Sequence, residues 1–197
     1  KKELYVNLFI SNDADITLGK KKVKISQKAN FPWDGKVEIS VTPEKSGKFD
    51  LKLRIPGWAH NEALPGGLYK FEAQNNESVT LQINGEPIEL NMADGYAVIS
   101  RKWKSGDKVE IEFPMPIRKV IADERVKEDL DKIAIQRGPV IYCAEWHDNN
   151  SGNVLNVLIK KDAGFTSEFV PSLLEGTQVI KTTGFQMRRT LDGKVEM

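Results

Sequence analysis

The chain has 197 residues, 40% hydrophobic and 29% charged, enough to bury a core without staples and too apolar for disorder. Its 29 Lys and Arg against 28 Asp and Glu leave a net charge of +1, which gives no field for a nucleic acid or an anionic membrane. One cysteine, Cys143, excludes an internal disulfide and a cysteine-based zinc site, and no run approaches the roughly 20 apolar residues of a membrane helix.

Residues 1–10, KKELYVNLFI, lack the length and small-residue exit of a signal peptide. The chain reads as a piece of a longer one, disulfide-free and without a signal region, so its compartment is undefined. Residues 4–10 predict a buried strand closed by turn formers at 11–15. Residues 16–28 alternate through Ile16, Leu18, Val23 and Ile25, around a turn at Gly19 that carries Lys20, Lys21 and Lys22. Three lysines without interleaved aromatics read as a solvated hairpin tip rather than a polyanion patch.

A compact turn at residues 30–35, NFPWDG, precedes a clean alternating strand at 36–41. Ser46-Gly47 leads into Phe49, Leu51, Leu53 and Ile55, so these two runs predict a second hairpin, stopped by Pro56-Gly57-Trp58. Residues 59–74 read as a long connection containing Gly, Pro and Asn. The clearest signal lies in residues 79–116, where Val79, Leu81 and Ile83, and then Val109, Ile111 and Phe113, alternate with polar residues. Asn84-Gly85 favours the positive φ angles of a tight turn and Ser105-Gly106-Asp107 punctuates again, which predicts a meander of about four strands.

Beyond Pro114 and Pro116, residues 117–122 read as a short strand, and DERVKEDLD at 123–131 has helix-like charge density over about two turns at most. Residues 133–144 predict a strand interrupted at Gly138-Pro139, residues 147–153 a polar loop, 154–159 a strand, and 171–187 at least one more. Short strands at spacings of about 8 to 12 residues predict an all-β fold of two antiparallel, jelly-roll-like β-sandwich modules with very little helix. The prolines place the seam between residues 1–116 and 117–197.

No side chain declares itself catalytic. Glu110 and Glu112 lie on one face of a strand about 7 Å apart, a spacing that inverting glycosidases use, but Lys108 shares that face and an ordinary wet sheet surface explains all three. His60 and His147 fall in loops without metal-ligand spacing, and Cys143 on an apolar strand reads as a buried, inert filler. Among Trp33, Trp58, Trp103, Trp146, Tyr96 and Phe31 three roles stay open: capping a sandwich core, contacting another domain, or stacking on a sugar. Trp33, Trp58, Tyr96 and Trp103 are the candidate interface or sugar-contact aromatics.

Five strings in order, NFPWDGKVEISV at 30–41, LKLRIPGW at 51–58, LQINGE at 81–86, GYAVISRKWKSGDKVEIEFPMPIR at 95–118 and IAIQRGPVIYCAE at 133–145, carry a family resemblance. Together with LLEGTQVIK at 173–181, they resemble the C-terminal β-sandwich region of glycoside hydrolase family 127, the β-L-arabinofuranosidase-like proteins. The resemblance implies an (α/α)6 barrel ahead of this region, holding a zinc-bound cysteine cluster with the nucleophile, an assisting glutamate and substrate-binding histidines. None of those residues carries over, because Cys143 does not match the catalytic motif, so zinc is expected only in the missing barrel.

The resemblance further implies a second sandwich completed by strands from near the parent's N-terminus, so residues 117–197 should show an unpaired edge or pair with a neighbouring copy. The expected partners are the missing catalytic barrel and, through an oligomer contact, a second copy; nucleic acid and membrane are not among them. The expected role is a non-catalytic scaffold of an arabinofuranosidase-like hydrolase, the alternative a stand-alone carbohydrate-binding module.

Overall fold

The computed structural model describes residues 2–147, 154–189 and 195–196. In chain order its strands begin with β1 (Glu3–Val6), β2 (Asn12–Leu18), β3 (Lys21–Ala29), β4 (Lys36–Pro43), β5 (Gly47–Arg54), β6 (Tyr69–Phe71) and β7 (Thr80–Ile83). They continue with β8 (Glu86–Pro87), β9 (Met92–Ala93), β10 (Tyr96–Trp103), β11 (Asp107–Glu112), β12 (Ile117–Ala122), β13 (Ile133–Arg137) and β14 (Val140–Tyr142). Last come β15 (Val157–Ile159), β16 (Phe165–Val170), β17 (Thr177–Thr182), β18 (Gly184–Gln186), β19 (Arg188–Arg189) and β20 (Val195–Glu196). The described helical turns are short 3-10 segments at Gly57–His60, Lys127–Asp129 and Val154–Asn156.

The alternating runs produce an all-β fold because alternate side chains of a strand face opposite sides. Two sheets form the first module, one ordered β1-β5-β10-β9 and the other β2-β3-β4-β11-β7-β8. Phe49, Leu51 and Leu53 of β5 and Ala97, Ile99 and Trp103 of β10 meet Val37, Ile39 and Val41 of β4 and Val109 and Ile111 of β11 in one buried cluster. Each large side chain there contributes about 1.5–3 kcal/mol relative to exposure. The ladders are antiparallel except for β1 with β5, which run parallel with Val6 opposite Leu53.

Two expected pairings differ. β4 and β5 do not form a hairpin but lie in different sheets, and β10 leaves the 79–116 stretch for the sheet of β5 while β7 and β11 pair in the other. Period-two burial and a Gly-containing turn serve an arch between sheets as well as a hairpin, so the pattern alone does not separate them. Asn84-Gly85 does make the tight β7–β8 turn, with φ of 53° and 83°. The Asn84 side chain also donates to Asp107 (3.0 Å) and accepts from the Lys108 amide (2.8 Å), tying that turn to the start of β11.

Beyond the prolines, a sheet ordered β14-β13-β12-β6 is accompanied by the ribbons β15-β18, β16-β17 and β19-β20. β6 comes from the stretch expected to be only a connection: Phe71 pairs opposite Val120 and Tyr69 opposite Ala122. Gly138-Pro139 makes the β13–β14 hairpin, and in place of a helix residues 123–131 form turns around Lys127–Asp129, since so short a charged segment cannot sustain α-helical nucleation alone. Of the expected polar loop 147–153, residues 148–153 lie outside the described residues.

Candidate functional site

Strand register brings three of the four candidate aromatics to one end of the first module. Parallel β1 and β5 finish there, with residues 7–10 and 55–58 continuing past them, and antiparallel β10 begins there with Tyr96 opposite Arg54. The other sheet contributes the 30–35 turn and the end of β11, locked where the Phe113 amide donates to the Gly35 carbonyl at 2.9 Å. A Cβ on Gly35 would sit 1.9 Å from the Phe113 carbonyl oxygen, so only glycine permits this approach.

Trp58 closes this end. Its ring centroid lies 5.7 Å from that of Phe113 and 6.4 Å from that of Phe31, while Phe9 packs 5.0 Å from Phe113. Behind it, Phe71, Pro114, Pro116, Arg118 and Gln136 border a space of only about 10 Å³. Trp58 is therefore wedged between the sandwich core and the β14-β13-β12-β6 sheet. The half-buried Trp33 belongs to the same joint through its backbone: its carbonyl accepts from Arg137 of β13 at 2.9 Å. The Tyr96 hydroxyl donates to Asn7 at 2.9 Å, and its ring meets Tyr5 edge-on at 5.2 Å.

Trp103 departs from the expectation. It pairs opposite Gly47 at the far end of the sandwich, is 0% exposed, stacks on Phe49 at 5.6 Å and donates to the Phe49 carbonyl at 3.0 Å. An inward position at the end of β10 puts the whole indole in the core, out of reach of sugar or partner. Cys143 also departs: β14 ends at Tyr142, so the thiol lies just past the strand, exposed and 3.9 Å from Glu145.

Sequence reasoning missed the residues that build the joint. Arg118 donates to the Asn61 side chain and the Ala73 carbonyl, both at 2.7 Å, and its guanidinium carbon lies 3.3 Å from the centre of the Phe71 ring. Burial pulls this guanidinium below its ordinary pKa. Asn61, in the left-handed region at φ 70°, also exchanges hydrogen bonds with the Asn75 backbone at 2.8 and 3.0 Å. The available signal was Tyr69 and Phe71 at alternate positions inside a stretch otherwise rich in turn formers.

The other polar side chains singled out from the sequence face solvent. Glu110 and Glu112 face outward beside Glu38 and Lys36, with Lys108 bridging to Glu38 at 3.2 Å, in a shallow groove that leaves them wet. Both His60 and His147 are exposed. Among the described residues no three His, Cys, Asp or Glu side chains converge as a metal site would. The most enclosed carboxylate, Asp107, is structural: burial pushes its pKa up, but hydrogen bonds from Asn84 and the Lys104 amide and the charge of Arg101 outweigh that and hold it below the ordinary value.

The family model described as β-L-arabinofuranosidase, GH127 middle domain, matches residues 3–115, and that of the glycoside hydrolase family 127 C-terminal domain matches residues 117–177. The chain belongs to glycoside hydrolase family 127. A solved GH127 β-arabinofuranosidase is 38% identical and superposes with a TM-score of 0.91 over 99% of this chain and 30% of its own. A GH127 β-L-arabinofuranosidase from Geobacillus stearothermophilus T6 is 36% identical, with a TM-score of 0.83 over 96% of this chain and 27% of its own. The non-reducing end β-L-arabinofuranosidase of Bifidobacterium longum subsp. longum is 35% identical over 146 residues, 72% of this chain and 19% of that protein. The chain thus spans 19 to 30% of these family 127 proteins.

Proposed function

We propose that this chain is the non-catalytic scaffold of a β-L-arabinofuranosidase-like glycoside hydrolase, packing against an (α/α)6 barrel that carries the chemistry. On this reading, the zinc, the cysteine nucleophile and the assisting glutamate belong to the barrel, and the sandwich steadies the wall of its active site. The observation that carries the proposal is the superposition of nearly the whole chain on less than a third of a β-arabinofuranosidase. In support, the described polar groups serve turns and joints: Asp107 holds the 104–107 turn, Arg118 holds the 61–75 segment, and Glu110 and Glu112 stay solvated.

The test is hydrolysis of an aryl β-L-arabinofuranoside by the 197-residue chain alone. No turnover is expected, and turnover by this chain would overturn the proposal. The carbohydrate-binding alternative calls for a flat aromatic row, whereas Tyr5 and Tyr96 meet at 86° and the Lys52 ammonium covers the Tyr5 ring at 4.9 Å. Binding of a β-L-arabinofuranosyl oligosaccharide, lost in Tyr5→Ala with the fold intact, would favour that alternative.

A further inference from the structure

The two outer faces of the first module differ in chemistry. On one, β4 and β11 present Lys36, Glu38, Lys108, Glu110 and Glu112, a charge-alternating surface suited to water. The other sheet ends at β1, which pairs on one side only, with β5. Along β1 and the segment after it, Tyr5 is 47% exposed, Leu8 67% and Ile10 61%, half of the six large apolar side chains exposed within residues 2–116. Leu64, Leu68 and Met92 are the other three, spread over later segments.

Leu8 and Ile10 are held outward. Phe9 between them is buried, its ring 5.0 Å from Phe113 and 6.0 Å from Phe31, so the segment cannot turn to hide its neighbours without pulling that ring from the core. Anchored apolar side chains beside an unpaired strand edge are the chemistry of an interface. Glu3 and Lys52 lie 3.3 Å apart beside Tyr5 and neutralise one another, so the counter-surface needs to be apolar rather than charged.

The family model for residues 3–115 is that of a middle domain, so in family 127 proteins further polypeptide precedes the strand equivalent to β1. We propose that Tyr5, on the edge strand β1, and Leu8 and Ile10, in the segment just past it, seat the domain that precedes the middle domain in the same polypeptide. The proposal rests on the scaffold reading and names the face that reading uses. The preceding domain has to come close to β1 because β1 is where its chain arrives, and the solvated face of β4 and β11 lies on the opposite sheet.

The test uses the full-length polypeptide carrying these domains, with p-benzoylphenylalanine placed in turn at positions 8, 10, 64 and 92, photolysed and mapped by mass spectrometry. Intramolecular cross-links from positions 8 and 10 to residues preceding the middle domain are expected. Cross-links to that region from 64 or 92 but not from 8 or 10 would overturn the assigned face and leave the scaffold reading standing; cross-links from none of the four would overturn both. A covalent dimer formed through position 8 would make a second copy the occupant and overturn the assignment. Independently, Leu8→Asp with Ile10→Asp should lower the melting temperature of the full-length polypeptide while Glu110→Ala does not, and equal melting of all three proteins would count against the seat.

Discussion

Trp58 and Trp103 stand at opposite ends of the same sandwich, and their surroundings predict different sensitivities. Truncating Trp58 removes the ring that touches Phe31 and Phe113 and borders Phe71, so Trp58→Ala should destabilise the chain by about 3 kcal/mol, the lower end for loss of a large aromatic. Urea unfolding of the chain measures it, and an unchanged midpoint would mean that Trp58 waits for a partner instead of capping the core. Asp107 makes a prediction about pH. Because its folded-state pKa is lowered, its contribution is fully present above the unfolded carboxylate value of about 3.9 and fades as pH falls through the lower folded value. Asp107→Asn should therefore flatten the acid limb of unfolding free energy against pH, and a limb of undiminished slope would contradict the assignment.

At the scale of elements, alternation identified most of the strands, because a half-buried strand writes its inside and outside directly into the chain. Val37, Ile39 and Val41, and Val109 and Ile111, are buried where their spacing places them. Partnership was not legible in the same way. Phe49 to one sheet and Ile39 to the other look alike from the sequence, since each only needs a face turned inward, and the choice between hairpin and arch is made by distant packing. β6 was hidden by its length of three residues and by the Pro, Gly and Asn around it. The candidate aromatics were legible as a type, but Trp103 and Trp58 could be told apart only by the register that buries one and wedges the other at the joint. Arg118, which clamps the chain on both sides of β6, supplies the test: Arg118→Ala should accelerate amide exchange at residues 61–75 by far more than in β4 or β11. Uniform acceleration throughout the chain would instead indicate that the clamp supports the whole fold.

At the scale of the molecule, the two family segments are bound by a shared sheet, by Trp58 between them, and by the Arg137 bond to the Trp33 carbonyl. They are expected to unfold in one cooperative transition, and calorimetry resolving two separate peaks would show that the joint is too weak to couple them. The polar contacts of this joint hold backbone segments at fixed positions, as the proposed scaffold role requires.

The crossing strand also bears on how such proteins can be recombined. β6 lies among residues 3–115 by family match yet hydrogen-bonds to β12, which lies within 117–177. A chimaera of two relatives spliced at residue 116 would confront a strand from one parent with a sheet evolved around another. Splices that carry residues 61–75 along with the C-terminal part would preserve the native match, so heredity in this region is better parcelled by hydrogen bonding than by sequence boundary.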